Sequence, residues 1–165
     1  MKLDLPDRWT ARRPTVRGIE PPPMAELKDA AQRGAQLKVV IVEDDKFLQK
    51  ILVTKFTKEG FSVRAVSDAE EGLQMILTEA PDIALLDLIL PKMSGFDLLT
   101  ELKANPKTKN VPVVVLSNLG QEEDIARVKG LGALDFLVKA DTSINQVVQK
   151  VKEIYVRHLQ GGDKG

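Results

Sequence analysis

The sequence has no cysteine and one histidine, His158, in 165 residues. Without cysteine there is no disulfide, no thiolate metal site and no thiol nucleophile, which suits a reducing compartment. Neither sign of charge is in excess: 24 Lys and Arg balance 24 Asp and Glu. No overall field therefore favours nucleic acid or an anionic membrane. No apolar run approaches the ~18 residues of a membrane span. Residues 1–7 lack the apolar centre of a secretory signal. Neither common glycine-rich phosphate loop occurs, so self-phosphorylation from ATP is not expected. The length fits one domain of roughly 100–200 residues, and a cytoplasmic location is the expectation.

Two stretches carry chemistry. Val39-Val40-Ile41-Val42 runs into Glu43-Asp44-Asp45, and Ile83-Ala84-Leu85-Leu86 runs into Asp87. Placing carboxylates side by side in a low-dielectric site is costly, because like charges resist ionising together. The arrangement suits a hard cation, a reactive oxygen, or both, and here it points to Mg²⁺ and a phosphoryl group.

The chain divides near Leu37. Before it, Pro6, Pro14 and Pro21-Pro22-Pro23 interrupt regular structure. Residues 1–36 read as a flexible, Pro-containing extension with a docking candidate in Trp9 and a weak helical stripe over 24–36. Met24 is an alternative start. From Leu37, apolar runs and helical spacings alternate. Strands are expected over 37–42, 62–66, 83–86, 113–116 and 134–138. Ser62-Val63-Arg64-Ala65-Val66 alternates polar and apolar, as an edge strand would. Between the strands, Leu48, Ile51, Leu52 and Phe56 mark a helix stopped by Gly60. Ser67 with Glu70 forms a capping box for the next helix, ended by Pro81. Ser94 with Asp97 opens a third before Pro106, and Ile125 and Val128 mark a fourth. Ile144, Val147, Val148, Val151, Ile154 and Tyr155 share one face of the last.

Alternating strands and helices give a doubly wound α/β fold, a five-stranded parallel sheet wrapped on both faces. Glu43, Asp44, Asp87, Ser117 and Lys139 all fall at expected strand ends, where open α/β sheets bind ligands. The second strand ends without such a group. Strand order 2-1-3-4-5, flavodoxin-like, brings strands one and three together and leaves the second at an edge.

Glu43-Asp44, Asp87 with Pro91 and Gly95 downstream, Ser117, Phe136 and Lys139 together resemble the receiver domain of two-component response regulators. The resemblance covers residues 37–159, and the last residues, 160–165, read as a disordered tail. It implies that Asp87 accepts a phosphoryl group from a histidine kinase or phosphotransfer protein. It also implies that Glu43, Asp44, Asp87 and the Ile89 carbonyl serve Mg²⁺, and that Ser117 and Lys139 contact phosphoryl oxygens. Ser117 and Phe136 would form the switch, with residues 118–120 and the following helix responding. Ile89 and Leu119, two residues beyond Asp87 and Ser117, would control the lifetime of the acyl phosphate by narrowing and drying the approach of water.

Other readings exist for single residues. Glu43 and Asp44 also suit the cap of the first helix, Ser117 a helix cap, Lys139 the surface and Phe136 the plain core. Asp87 has no helix to cap. The chain departs from the family at Ala140, where a proline is usual after the lysine, and at Asn118, where a small residue is common. The last helix lacks the arginine pattern of a dimerising subfamily, so a monomer is expected.

Six residues follow Leu159, so the expectation is a stand-alone module that relays its state to a downstream protein without binding nucleic acid or membrane. It is not expected to be an enzyme beyond assisting its own phosphoryl transfer and hydrolysis. The alternatives are a phosphorylation-independent adaptor, or an aspartyl phosphotransferase or phosphatase for small molecules. Ile89 stands where the latter would need a second acid.

Overall fold

The computed structural model describes residues 36–161, with side chains through residue 158. The expected extension, with Trp9 and the stripe over 24–36, lies outside the described residues apart from Gln36, as do residues 162–165. Among the described residues five strands, β1 (Lys38–Val42), β2 (Ser62–Val66), β3 (Ile83–Leu86), β4 (Val113–Ser117) and β5 (Asp135–Val138), alternate with five α-helices. These are α1 (Lys46–Lys58), α2 (Ala69–Glu79), α3 (Gly95–Ala104), α4 (Glu122–Gly130) and α5 (Ile144–Gly161). The last helix thus runs two residues into the expected tail.

All strand pairs are parallel, in the order β2-β1-β3-β4-β5. The apolar runs of β1, β3 and β4 are continuous because both faces of those strands are covered. Successive β1 side chains go to opposite cores. Val40 and Val42 join Ile76 of α2, Leu98, Leu99 and Leu102 of α3, and Val128 of α4. Val39 and Ile41 join Leu52 and Phe56 of α1 and Val147, Val148, Val151 and Ile154 of α5. Each such fully buried side chain contributes about 1.5–3 kcal/mol. Phe56 and Phe61 close the lower end of the second core edge to face, with centroids 5.1 Å apart.

The helix starts differ in part from expectation. Ser94 caps α3 as expected, its side chain accepting from Asp97 N–H. The cap of α2 is Asp68 rather than Ser67: its carboxylate accepts from Glu71 N–H at 2.8 Å. For α1 it is Asp45, accepting from Phe47 and Leu48 N–H, which frees Glu43 and Asp44 from that task. Ser117 caps nothing; it is the buried last residue of β4, and Gln121 precedes α4. Gly60, at φ 97°, supplies the left-handed turn after α1.

Candidate phosphoacceptor and cation site

The site lies at the carboxyl ends of β1, β3, β4 and β5. The Asp87 N–H donates to the Val42 carbonyl at 3.0 Å, one step past the paired ends of the two strands, and this sets Glu43 and Asp87 side by side. Both are almost wholly buried, Glu43 at 2% and Asp87 at 4% exposure. Asp44 is exposed. The three residues offer carboxylate oxygens that all lie within 4.8 Å of one another.

Lys139, just past β5, reaches over to this pair. Its Nζ is 2.7 Å from Asp87 Oδ2 and 2.8 Å from Glu43 Oε1, with Glu43 Oε2 at 3.1 Å. One ammonium therefore bridges two buried carboxylates. Burial opposes the Lys139 charge, but its hydrogen bonds to Asp87 and Glu43 outweigh this and hold its pKa above the ordinary lysine value. Burial pushes the Glu43 carboxyl up, against the hydrogen bond from Lys139 that pulls it down; the Asp87 charge adds to the rise. The other Asp87 oxygen, Oδ1, accepts from Ile89 N–H at 3.2 Å. The Ala140 departure leaves this geometry standing. No cis peptide occurs among the described residues, and residues Lys139–Asp141 form one 3₁₀ turn. Thr142 anchors that turn through Oγ1 on the Val138 carbonyl at 2.8 Å.

The other expected residues flank this group without bonding to it. Ser117 is fully buried, and its Oγ accepts a 3.4 Å bond from Leu119 N–H. Phe136 sits beside Val115 across the β4–β5 pair, 8% exposed within the α2–α4 core. Asn118 is exposed. Leu119 is half-buried against the same core, whereas Ile89 is 54% exposed at the mouth.

Buried carboxylates at adjacent strand ends, closed on a lysine from a third strand, define a recurrent architecture. The family model described as the response regulator receiver domain matches residues 39–152. The chain belongs to that family. The receiver domain is 40% identical over 105 residues to the two-component response regulator PhoP of Pseudomonas aeruginosa, covering 62% of this chain and 45% of that protein. It is 36% identical over 115 residues to the regulatory protein VanRc of Enterococcus gallinarum, covering 70% of this chain and 48% of that protein. The matched part is thus less than half of either relative. Among solved structures, the receiver domain of Francisella response regulator 1452 superposes with a TM-score of 0.68 at 30% identity, covering 74% of this chain and 98% of that one. The phosphorylated cyanobacterial phytochrome response regulator RcpA gives 0.62 at 33%, covering 73% and 91%. The CheX–CheY–BeF3–Mg²⁺ complex of Borrelia burgdorferi gives 0.67 at 32%, covering 73% and 90%. Among the described residues of this receiver domain no helix is long and apolar enough to cross a membrane.

One polar residue near the site was not anticipated. Gln49, on α1, donates to the Glu43 carbonyl. A signal was available: Gln49 precedes the buried Leu52 and Phe56 by three and seven residues, so it lies on the inward stripe of its helix.

Proposed function

We propose that this receiver domain accepts a phosphoryl group on Asp87 from a histidine kinase or phosphotransfer protein, in the presence of Mg²⁺, and relays the new state to a partner protein. The observation that carries the reading is the Lys139 ammonium shared by buried Glu43 and Asp87, with Asp44 beside them. Such a site already tolerates a cation, and its donors are the hard oxygens that Mg²⁺ takes. The solved relatives described as phosphorylated, or as complexed with BeF3 and Mg²⁺, add support.

In this reading Glu43, Asp44, Asp87 and the Ile89 carbonyl hold Mg²⁺. Its charge would offset the repulsion between a carboxylate and an incoming phosphate. An Asp87 carboxylate oxygen forms the new O–P bond as the donor's P–N bond breaks, and the donor imidazole leaves with the electron pair. Lys139 turns from the carboxylates toward the transferred oxygens and neutralises charge there. The Ser117 hydroxyl then gains an acceptor it lacked, and its loop, α4 and Phe136 follow; a switch of this kind needs two packings within a few kcal/mol. The same residues assist loss of the phosphoryl group to water, and no other substrate is turned over.

Intact mass after incubation with acetyl phosphate and Mg²⁺ tests the reading. The expected result is a gain of one phosphoryl group that Asp87→Asn abolishes without loss of fold. No gain in the parent would favour a phosphorylation-independent adaptor. Stoichiometric labelling of the variant would displace Asp87 as the acceptor.

A further inference from the structure

β1 ends at Val42, so Glu43 is the first residue of the site that the strand ladder no longer holds on its own. Its two main-chain groups are nevertheless both held. The Glu43 N–H donates to the Val66 carbonyl at the end of β2, at 3.0 Å. Its carbonyl receives Gln49 Nε2 at 2.8 Å. The same amide nitrogen lies 3.0 Å from the Val66 carbonyl and 3.4 Å from Ser67 Oγ. A side-chain amide thus continues the hydrogen bonding of the sheet one residue beyond its backbone partners. A buried carbonyl left without a donor is unfavourable.

Fixing this carbonyl fixes the peptide plane between Glu43 and Asp44. That plane decides how Glu43 turns inward to Lys139 and Asp87 while Asp44 stays outside with an oxygen still within reach of both. Gln49 itself is held from below, since it follows the capped start of α1 and its N–H donates to the Asp45 carbonyl at 2.8 Å. β2 contributes no carboxylate to the site, yet the Val66 carbonyl at its end supplies the second anchor. Ser67 Oγ also takes Lys46 Nζ at 2.6 Å.

We propose that Gln49 is a positioning residue for the cation site, acting through the Glu43 carbonyl to preset the Glu43–Asp44 pair. The proposal rests on reading that cluster as a cation site. Residues that orient ligands from behind typically change metal affinity by about 10–100-fold when removed. Gln49 acts on the main chain of the acidic pair, so the effect expected here is at the lower end, about tenfold.

The test uses the full chain and Mg²⁺ alone as probe, with calorimetric titration of the parent, Gln49→Met, Gln49→Asn and Ser67→Ala. Gln49→Met removes the donor at similar length, and Gln49→Asn keeps an amide too short to span both carbonyls. Both are expected to raise the Mg²⁺ dissociation constant, Gln49→Met by about tenfold. Ser67→Ala leaves the two carbonyls held and is expected to stay within twofold of the parent. Acetyl phosphate labelling supplies an independent readout: the Mg²⁺ concentration for half-maximal rate rises in the Gln49 variants, while the rate at saturating Mg²⁺ changes little. If Gln49→Met does not fold, Gln49→Asn decides by the same measurements. Unchanged Mg²⁺ affinity in the folded Gln49 variants overturns the proposal. So does an equal shift in Ser67→Ala, which would place the effect in loop packing. A parent that binds no Mg²⁺ overturns it together with the cation site. A parent that binds Mg²⁺ but takes no label overturns only the phosphoacceptor reading.

Discussion

Gly95 lies flat against the main chain of Asp87. Its N–H donates to the Leu88 carbonyl at 2.9 Å. A Cβ built on it would collide with the Asp87 carbonyl oxygen and come within 2.6 Å of Leu88 Cα. The start of α3 therefore sets the height of the Asp87 backbone. Gly95→Ala is expected to cost about 1–3 kcal/mol, the range for overpacking a filled interior, and to slow labelling by acetyl phosphate because Asp87 must shift. Denaturant unfolding and a labelling time course check both; an unchanged midpoint would contradict the contact.

Lys139→Met should uncover the charge it balances. Removing one partner of a buried pair costs about 3–5 kcal/mol, and the 16% exposure of the Lys139 side chain places the loss toward the lower end. Glu43 and Asp87 then face each other without a cation, so added Mg²⁺ should raise the melting temperature more in the variant than in the parent. Labelling should slow even at saturating Mg²⁺. An equal or smaller Mg²⁺ response in the variant would argue against competition between ammonium and metal.

How far the chain could be read without coordinates varies by residue. The strands were legible because β1, β3 and β4 are apolar throughout and β2 alternates, and the polar residues at their ends gave the strand order. Caps were less so. Ser67 and Asp68 are adjacent, and each has a glutamate three residues on, Glu70 and Glu71; pattern alone cannot choose between registers one residue apart. The run Glu43-Asp44-Asp45 posed the same problem, and backbone geometry resolved it by assigning the cap to Asp45. The double engagement of Lys139 was not legible, since it depends on side-chain reach past β4 to Asp87 and past β4 and β3 to Glu43. Gln49 reads as surface unless the helical stripe is followed past its apolar members.

Asp82 gives a pH dependence far from the site. Burial pushes its carboxyl above the ordinary 3.8, against the partly offsetting hydrogen bond and charge of Lys38. Its Oδ2 accepts from Lys38 N–H at 2.7 Å. The folded state therefore keeps this proton at pH values where the unfolded chain has lost it. The Asp82 contribution to stability then rises as pH falls through the raised value toward 3.8 and is lost on the way back up. Asp82→Asn keeps an acceptor without the charge, so the variant should gain on the parent as pH rises from about 4 to 7. Urea unfolding at both ends of that range checks the sign, and a variant that loses stability relative to the parent as pH rises would refute it.

Ala80 ends α2 with φ 46° and ψ 62°, a left-handed conformation that crowds a Cβ. It is exposed. Ala80→Gly should relieve roughly 1–2 kcal/mol of strain and lose about half of that to the greater freedom of the unfolded chain. A melting temperature higher by a few degrees is expected. A lower one would mean that the turn is not strained.

The lifetime of phosphorylated Asp87 is expected to be long, because neither Ile89 nor Leu119 can hydrogen-bond an attacking water. Ile89→Asn with Leu119→Glu should speed phosphate loss about tenfold or more, given that 1.4 kcal/mol of positioning is a factor of ten. Ile89 is the more exposed of the two, so the single Leu119 variant should show whether shielding or water placement dominates. Equal decay in the parent and the double variant would remove both residues from control of the lifetime.

Lys139 leaves the last strand of the sheet and fastens to residues following the second and third in spatial order. The carboxyl edge of the sheet is therefore laced crosswise by one side chain, much as a drawstring closes a pouch. Anything that takes the ammonium off Glu43 slackens the lace at both ends. The slack would be felt at the turn into α5, which begins at Lys139, 96 residues along the chain from the carboxylate that let go. Charge exchanged at one point of the edge would thereby become play in the backbone at another.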